Sequence, residues 1–339
     1  MAKYASPSIA ILVDGYDLTP ALTESMSRKQ ESITQETRPL GGASEAHTPV
    51  GVTRGSVAVG GGIFDEAVDP LHAAKIADGG VGVNRVVCFC DQGQTKGQHF
   101  TGYEGAYSQT SEVLDALHAL TKAHVTYQVS GHVDEGVILQ EKAAKTGDWT
   151  TETTDAVDEA DNPGTRQIPI MSASVANPTV ITTADDHHLV SGDVVAIFGM
   201  AGGIDPDIND NPAAAEAWKL IGHTITVTGA TTFTIPVNVT NDGTGGYCVL
   251  VSRASGGYGY QQVLDGATFT NFVGTIRHSV DNSVWADLIV FTDTTTDYHQ
   301  GERKGTAATT TQVRRYLAFK GDVTGAGSLT VFAGFSRGA

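Results

Sequence analysis

The chain has 339 residues, enough for two or three domains and a sizeable core, and only 17% are charged against a globular norm of about 25%. Its 40 glycines, with many Thr and Ser, favour strands and turns over long helices. With 38 acidic and 21 basic residues the formal charge is -17, which argues against affinity for nucleic acid, because Lys and Arg supply that affinity by neutralising phosphates.

Ile11 to Val13 is a short apolar run closed by Asp14-Gly15, a tight-turn dipeptide, so the chain is predicted to open on a hairpin. Residues 31 to 54 alternate poorly and carry Pro39, Gly41, Gly42, Pro49 and Gly51, which predicts a long loop of the kind that usually has a function. From Gly55 a period of two returns, with Val57 and Val59 on one face of a strand. The order of three elements, the DGYD turn at Asp14 to Asp17, ETRPLGG at Glu36 to Gly42 and HTPVGVTRGSVAVGGGIFD at His47 to Asp65, resembles the N-terminal half of the tail tube proteins of phages with long, non-contractile tails.

Further along, residues 69 to 79 suggest a brief helical turn, Arg85 to Cys90 a buried strand, and residues 91 to 109 a polar loop. Cys88 and Cys90, two apart on the strand, point to the same side; with Cys248 they form no disulfide framework and read as packing residues. In SEVLDALHALTKA, residues 111 to 123, the apolar Val113, Leu114, Leu117 and Leu120 share one face at helical spacing, which predicts a helix. Residues 125 to 134 alternate cleanly: Val125, Tyr127, Val129 and Val133 face a core, while Thr126, Gln128, Ser130, His132 and Asp134 face water.

The acidic, Thr-rich stretch at 146 to 166, closed by Asn-Pro-Gly, is the predicted linker after a core domain over 1-150. Residues 168-252 break into short β-runs and resemble a small β-module of phage structural proteins; residues 253-339, with a turn at Asp281-Asn282 and a final alternating strand at Leu329, Val331 and Ala333, resemble an appended C-terminal β-sandwich, in which case residues 254 to 265 resume the domain that the linker began and 168-252 is an inserted domain.

Chemistry-bearing motifs are sparse. Asp205, Asp207, Asn209 and Glu216 have oxygen ligands at several positions of a calcium loop, but Asp210 stands where such a loop needs Gly, so a solvated acidic loop is the preferred reading and no metal is expected. Asp186-His187-His188 reads as a turn and not a metal pair, since adjacent residues on an extended chain diverge. No G-x-S-x-G, P-loop or H-E-x-x-H occurs, and neither an enzyme nor a cofactor is expected. Arg303-Lys304 and Arg314-Arg315 are the densest basic spots and build no stripe for a nucleic-acid backbone.

The resemblance implies a mainly β fold: a tail-tube β-sandwich or barrel with one flanking helix, plus outward β-domains. It further implies a homo-oligomer, six copies to a ring and rings stacked into a tube, meeting a tape measure protein and other tail proteins while DNA passes through the lumen without specific binding. Edges at residues 23 to 36 and 55 to 64 would pair between copies, Arg38, Leu40, His47, Pro49 and Val50 would contact the next ring, and the polar face from Thr126 to Asp134 would line the bore. No signal-peptide pattern or membrane-length apolar run is seen, so assembly in a host cytoplasm and residence in the virion tail, away from any membrane, are expected. The alternative class is a virion adhesion or capsid decoration protein that binds host surface glycans.

Overall fold

The computed structural model of the chain describes residues 9–19, 26–37, 46–63, 84–114, 122–129, 133–158, 167–202, 208–209, 222–280, 282–295 and 299–338. Among them every long regular element is a strand, and all pairings between strands are antiparallel. The first ten strands are β1 (Ala10–Val13), β2 (Tyr16–Asp17), β3 (Met26–Thr37), β4 (Ala46–Ile63), β5 (Asn84–Cys90), β6 (His99–Leu114), β7 (Lys122–Val129), β8 (Val133–Thr146), β9 (Trp149–Thr150) and β10 (Val157–Asp158). The next eight are β11 (Ile168–Ala173), β12 (Thr179–Thr183), β13 (Val194–Phe198), β14 (His223–Thr224), β15 (Thr226–Gly229), β16 (Thr232–Ile235), β17 (Gly243–Thr244) and β18 (Tyr247–Ala254). The chain closes with β19 (Gly257–Ser279), β20 (Trp285–Val290), β21 (Gln300–Gly305), β22 (Gln312–Arg314) and β23 (Tyr316–Arg337).

Two sheets result. The larger runs β2, β1, β5, β6, β8, β23, β19, β20, with β7, β4 and β3 branching from β6 and with β21, β9 and β10 added to the long strands. β19 and β23 pair from Gly257↔Arg337 to Ser279↔Tyr316, a ladder about 70 Å long at about 3.3 Å per residue. Irregularities near Leu264, Thr268 and Thr270 bend the ladder, so one half lies beside β8 and β21 and the other beside β20, β9 and β10.

Alternation then builds layers. Ile11, Val13, Val87 and Phe89 pack with Tyr103, Tyr127 and Val129, whereas Ala10, Leu12, Cys88 and Cys90 turn the other way onto Phe100, Ile138, Tyr260 and Phe332. β1 and β5 are therefore buried on both faces, and the two thiols share one side as their spacing requires. Burial pushes the Cys88 thiol up to about 12, which makes it a packing group and not a nucleophile. A third cluster joins Leu139, Val263, Phe272, Phe319, Leu329, Val331 and Phe335 across the long ladder.

The smaller sheet runs β14, β13, β18, β11, β12, β16, β15. Its end strands β14 and β15 are one stretch of chain interrupted only at Ile225, the first half pairing β13 and the second β16. That arrangement makes a near-closed barrel. Its interior collects Ile168, Ile170, Ile181, Val195, Ile197, Phe233, Ile235 and Cys248 from every long strand.

Several expectations are corrected. The predicted helix over 111 to 123 begins and ends in strand: β6 and β7 pair from Ala106↔Val129 to Leu114↔Lys122, so an antiparallel ladder satisfies backbone groups that a helix would have bonded internally. Helical spacing of leucines was a weaker signal than this tertiary pairing. The predicted loop at 31 to 54 is mostly a hairpin of β3 and β4, and the loop at 91 to 109 narrows to residues 91–98 because His99 starts β6. Trp149–Thr150 and Val157–Asp158, within the expected linker, pair with β23. The C-terminal strands share the larger sheet with the N-terminal ones, through the pairing of β23 with β8. The helical turn at 69 to 79 lies outside the described residues.

Candidate assembly surface

The branch β6, β7, β4, β3 forms a four-stranded antiparallel sheet. β7 lies between β6 and β4, with Ser56↔Gln128 on one side and Tyr107↔Gln128 on the other. Buried Tyr127 and Val129 anchor β7 in the core, so alternation turns Gln128 to the opposite face. Among the described strands, β3 pairs only β4, and residues 108–114 of β6 pair only β7. The two outer edges of this sheet are thus without a partner strand, one on each side. Within the segment 55 to 64 expected to form an edge, residues 55–59 of β4 are interior instead, with β3 on one flank and β7 on the other.

Beyond residue 55 the hairpin leaves the sheet. Among the described residues, 31–37 and 46–54 pair only with each other, a two-stranded arm about 23 Å long. Between Ser32↔Thr53 and Thr34↔Pro49 the register advances four residues on β4 and two on β3, a bulge that accommodates a proline without a backbone donor. His47, Pro49 and Val50 lie on this arm, His47 opposite Glu36; Arg38 and Leu40 lie outside the described residues.

The remaining candidates scatter. Thr126 sits in β7 opposite Ala58 and Thr110, while Ser130 and His132 are outside the described residues. Asp134 is at the start of β8 and is 11% exposed at its side chain. Its Oδ2 accepts the Tyr260 hydroxyl and, at 2.8 Å, Arg303 Nε; Nε also donates to Tyr260 Oη at 2.9 Å. The Arg303 guanidinium, 7% exposed, lies 3.6 Å over the Tyr258 ring. Burial, then the Asp134 charge, push the Tyr260 phenol far up. Gly102 makes room for that ring, since a Cβ there would lie 2.3 Å from Tyr260 Cζ. Asp134 is therefore a joint between β8 and the C-terminal strands, with its charge compensated inside the fold.

Asp14 makes a second joint. It holds φ 43°, Oδ1 accepts Val86 N–H at 2.8 Å and Oδ2 accepts Arg85 at 3.0 Å, yet burial still raises its carboxyl above the usual range. Gly15 N–H donates to Gln262 Oε1 at 2.6 Å, and Tyr16 stacks on His299 at 4.2 Å. The opening turn thus docks onto β19 and β21. Tyr260, Gln262 and His299 were missed by sequence reasoning, which noted Arg303 only as part of a basic spot; no local pattern links them to partners more than a hundred residues away.

Of the calcium candidates, Asp205, Asp207 and Glu216 lie outside the described residues. Asn209 uses its amide on the backbone of Met200, accepting from N–H at 2.8 Å and donating to C=O at 3.1 Å. Among the described residues no cluster of three or more metal-ligating side chains occurs. His187 is buried and its Nδ1 accepts Leu189 N–H at 3.0 Å, a turn contact.

No protein-family model matches the chain. No curated protein is similar to it either. Among solved structures, a chain from the tail of an empty gene transfer agent particle, refined helically with C6 symmetry, has a TM-score of 0.31 and 13% identity over 39% of this chain and 97% of that one. A chain from the virion of the native gene transfer agent scores 0.31 at 12% identity, covering 39% and 98%. The SPP1 Dit protein, described as a paradigm of the hub adsorption apparatus in phages infecting Gram-positive bacteria, scores 0.29 at 10% identity, covering 96% of this chain and 98% of its own. Scores this low describe a loose likeness that assigns no role.

Proposed function

We propose that this chain is a structural subunit of a long, non-contractile phage tail, joined head to tail into rings that stack as a tube for DNA. The observation that carries the reading is the four-stranded sheet whose edge on each side, β3 and residues 108–114 of β6, has no partner strand among the described residues. Exposed edges invite uncontrolled pairing, and two different edges on one sheet are complementary in the heterologous way that closes rings. The sequence resemblance of residues 14 to 65 supports the same assignment.

Six copies would contribute about 24 strands, and strands about 4.8 Å apart tilted by about 40° close a barrel roughly 50 Å across at the backbone. Side chains occupying about 5 Å on each wall leave a bore of about 40 Å, ample for duplex DNA. A subunit carrying a net -17 offers few contacts that release counterions from phosphate, so DNA would slide without sticking. The arm of residues 31–37 and 46–54 is too thin to be stable in water alone, and the neighbouring ring is the partner we assign to it.

Electron microscopy of the purified protein tests the proposal. Six-fold rings or tubes with an open bore are expected, and monomers at high concentration contradict it. Rings that never stack would retain the ring and remove the tube, placing the chain at a single level of the tail.

A further inference from the structure

Strand direction fixes how two copies can meet. β3, β4, β7 and β6 alternate in direction, so β3 runs opposite to β6, and rotation about a ring axis brings β3 of one copy antiparallel to β6 of the next. The stretch of β6 open to it is short. β5 pairs β6 as far as Asn84↔Tyr107, which leaves residues 108–114 for an incoming strand.

Two conditions then narrow the register. Lys29 lies in a row with Ser56, Gln128 and Tyr107, on the face away from the buried Tyr127 and Val129. Thr110, Glu112 and Leu114 share that face, because the irregularity between Ser108 and Thr110 shifts the alternation of β6 by one residue. A strand must join with its faces matched, so Lys29 can stand opposite Thr110, Glu112 or Leu114. These choices step the incoming strand by two, four or six residues, counted on β7 from Gln128 to Thr126, His124 or Lys122. One copy is four strands wide, about 19 Å, and the steps are about 7, 13 and 20 Å, so the strands of a closed barrel would tilt by about 19°, 35° or 46°. Closed barrels tilt by about 35–45°, which removes the first choice. The third sets Glu31 opposite Glu112, and like charges directly opposite destabilise a pair of strands.

We propose that rings close with Lys29 of one copy opposite Glu112 of the next. This register also sets Ser27 against Leu114, Gln30 against Ser111 and Glu31 against Thr110. It rests on the ring reading above and adds the register and a charge pair to it. The arm leaves the sheet from residue 31, before β5 of the neighbouring copy takes the edge at Tyr107, so the two do not collide. Repeated around the ring, the pairs stand on the face turned away from the core of each copy, toward the bore. A carboxylate beside each lysine weakens the grip that lysines have on passing phosphates.

Paired cysteines in the full chain read the register directly. Lys29→Cys with Glu112→Cys should give covalent ladders when assembled rings are oxidised, whereas Ser27→Cys or Glu31→Cys with Glu112→Cys should give at least about tenfold less. Lys29→Glu or Glu112→Lys alone should raise the concentration needed for ring assembly at least about tenfold, with unchanged circular dichroism, and the exchange of both should restore it. Rings that link best through position 27 or 31, or that are indifferent to all three charge variants, overturn this register and leave the ring reading standing. Protein that never forms rings overturns both.

Discussion

Removing the carboxylate of Asp134 distinguishes a buried joint from a group that stands in a channel. At 11% exposure, and with Arg303 at 7%, both charges are largely out of water. Asp134→Ala leaves the guanidinium without its counter-charge, a loss of about 3–5 kcal/mol for a buried pair. Tyr260 Oη and the Tyr258 ring still hold Arg303, which places the value near the lower end, while the Tyr260 hydroxyl loses its acceptor at a cost of about 1 kcal/mol. The expected destabilisation is therefore about 3–4 kcal/mol. Arg303→Met should cost about 2–3 kcal/mol, and the double variant should lie within about 2 kcal/mol of the parent, giving a coupling of at least about 3 kcal/mol. Urea unfolding followed by circular dichroism measures all four proteins, with unchanged m-values as the control. A loss below about 0.5 kcal/mol for Asp134→Ala, the value of a solvated ion pair, would refute the buried joint.

Burial, then the charges of Arg314 and Arg337, lower the pKa of His278 to about 4, so the folded chain holds it neutral while the unfolded chain protonates it near 6.5. Stability from this residue is fully present above pH 6.5 and is lost as pH falls toward 4, by about 3 kcal/mol in all; His278→Asn should flatten that part of the profile of melting temperature against pH, and an unchanged slope would contradict it. Deleting residues 38 to 45, the sequence between β3 and β4, should leave folded rings but prevent stacking when viewed by electron microscopy; normal tubes would remove the arm from ring-to-ring contact.

Local pattern carried the parts of the fold that alternation controls. Tyr127 and Val129 are buried as the period of two requires, and Cys88 and Cys90 share a side. Pattern failed where pairing decided the outcome. Leu114 counted toward a helical face, yet its backbone pairs with Lys122, and Pro49 signalled a loop although a bulge admits it to β4. A face can be read from spacing, but its partner cannot: Asp134 and Arg303 are 169 residues apart, and Gly15 and Gln262 are 247 apart. The polar alternation that put Asp134 toward water was blind to a cation arriving from the far end of the chain.

Ring closure through two specific edges is the central claim, and disulfide trapping tests it most directly. Cysteines placed at positions 27, 29 and 31 of β3 and at 110, 112 and 114 of β6 scan the possible registers, and the native Cys88, Cys90 and Cys248 are buried and will not interfere. Oxidation of assembled protein should give, for one register, a ladder of covalent oligomers that ends at a closed ring of about six copies. Rings that form normally yet yield no link between copies at any register would contradict the account, because other surfaces would then be holding them together.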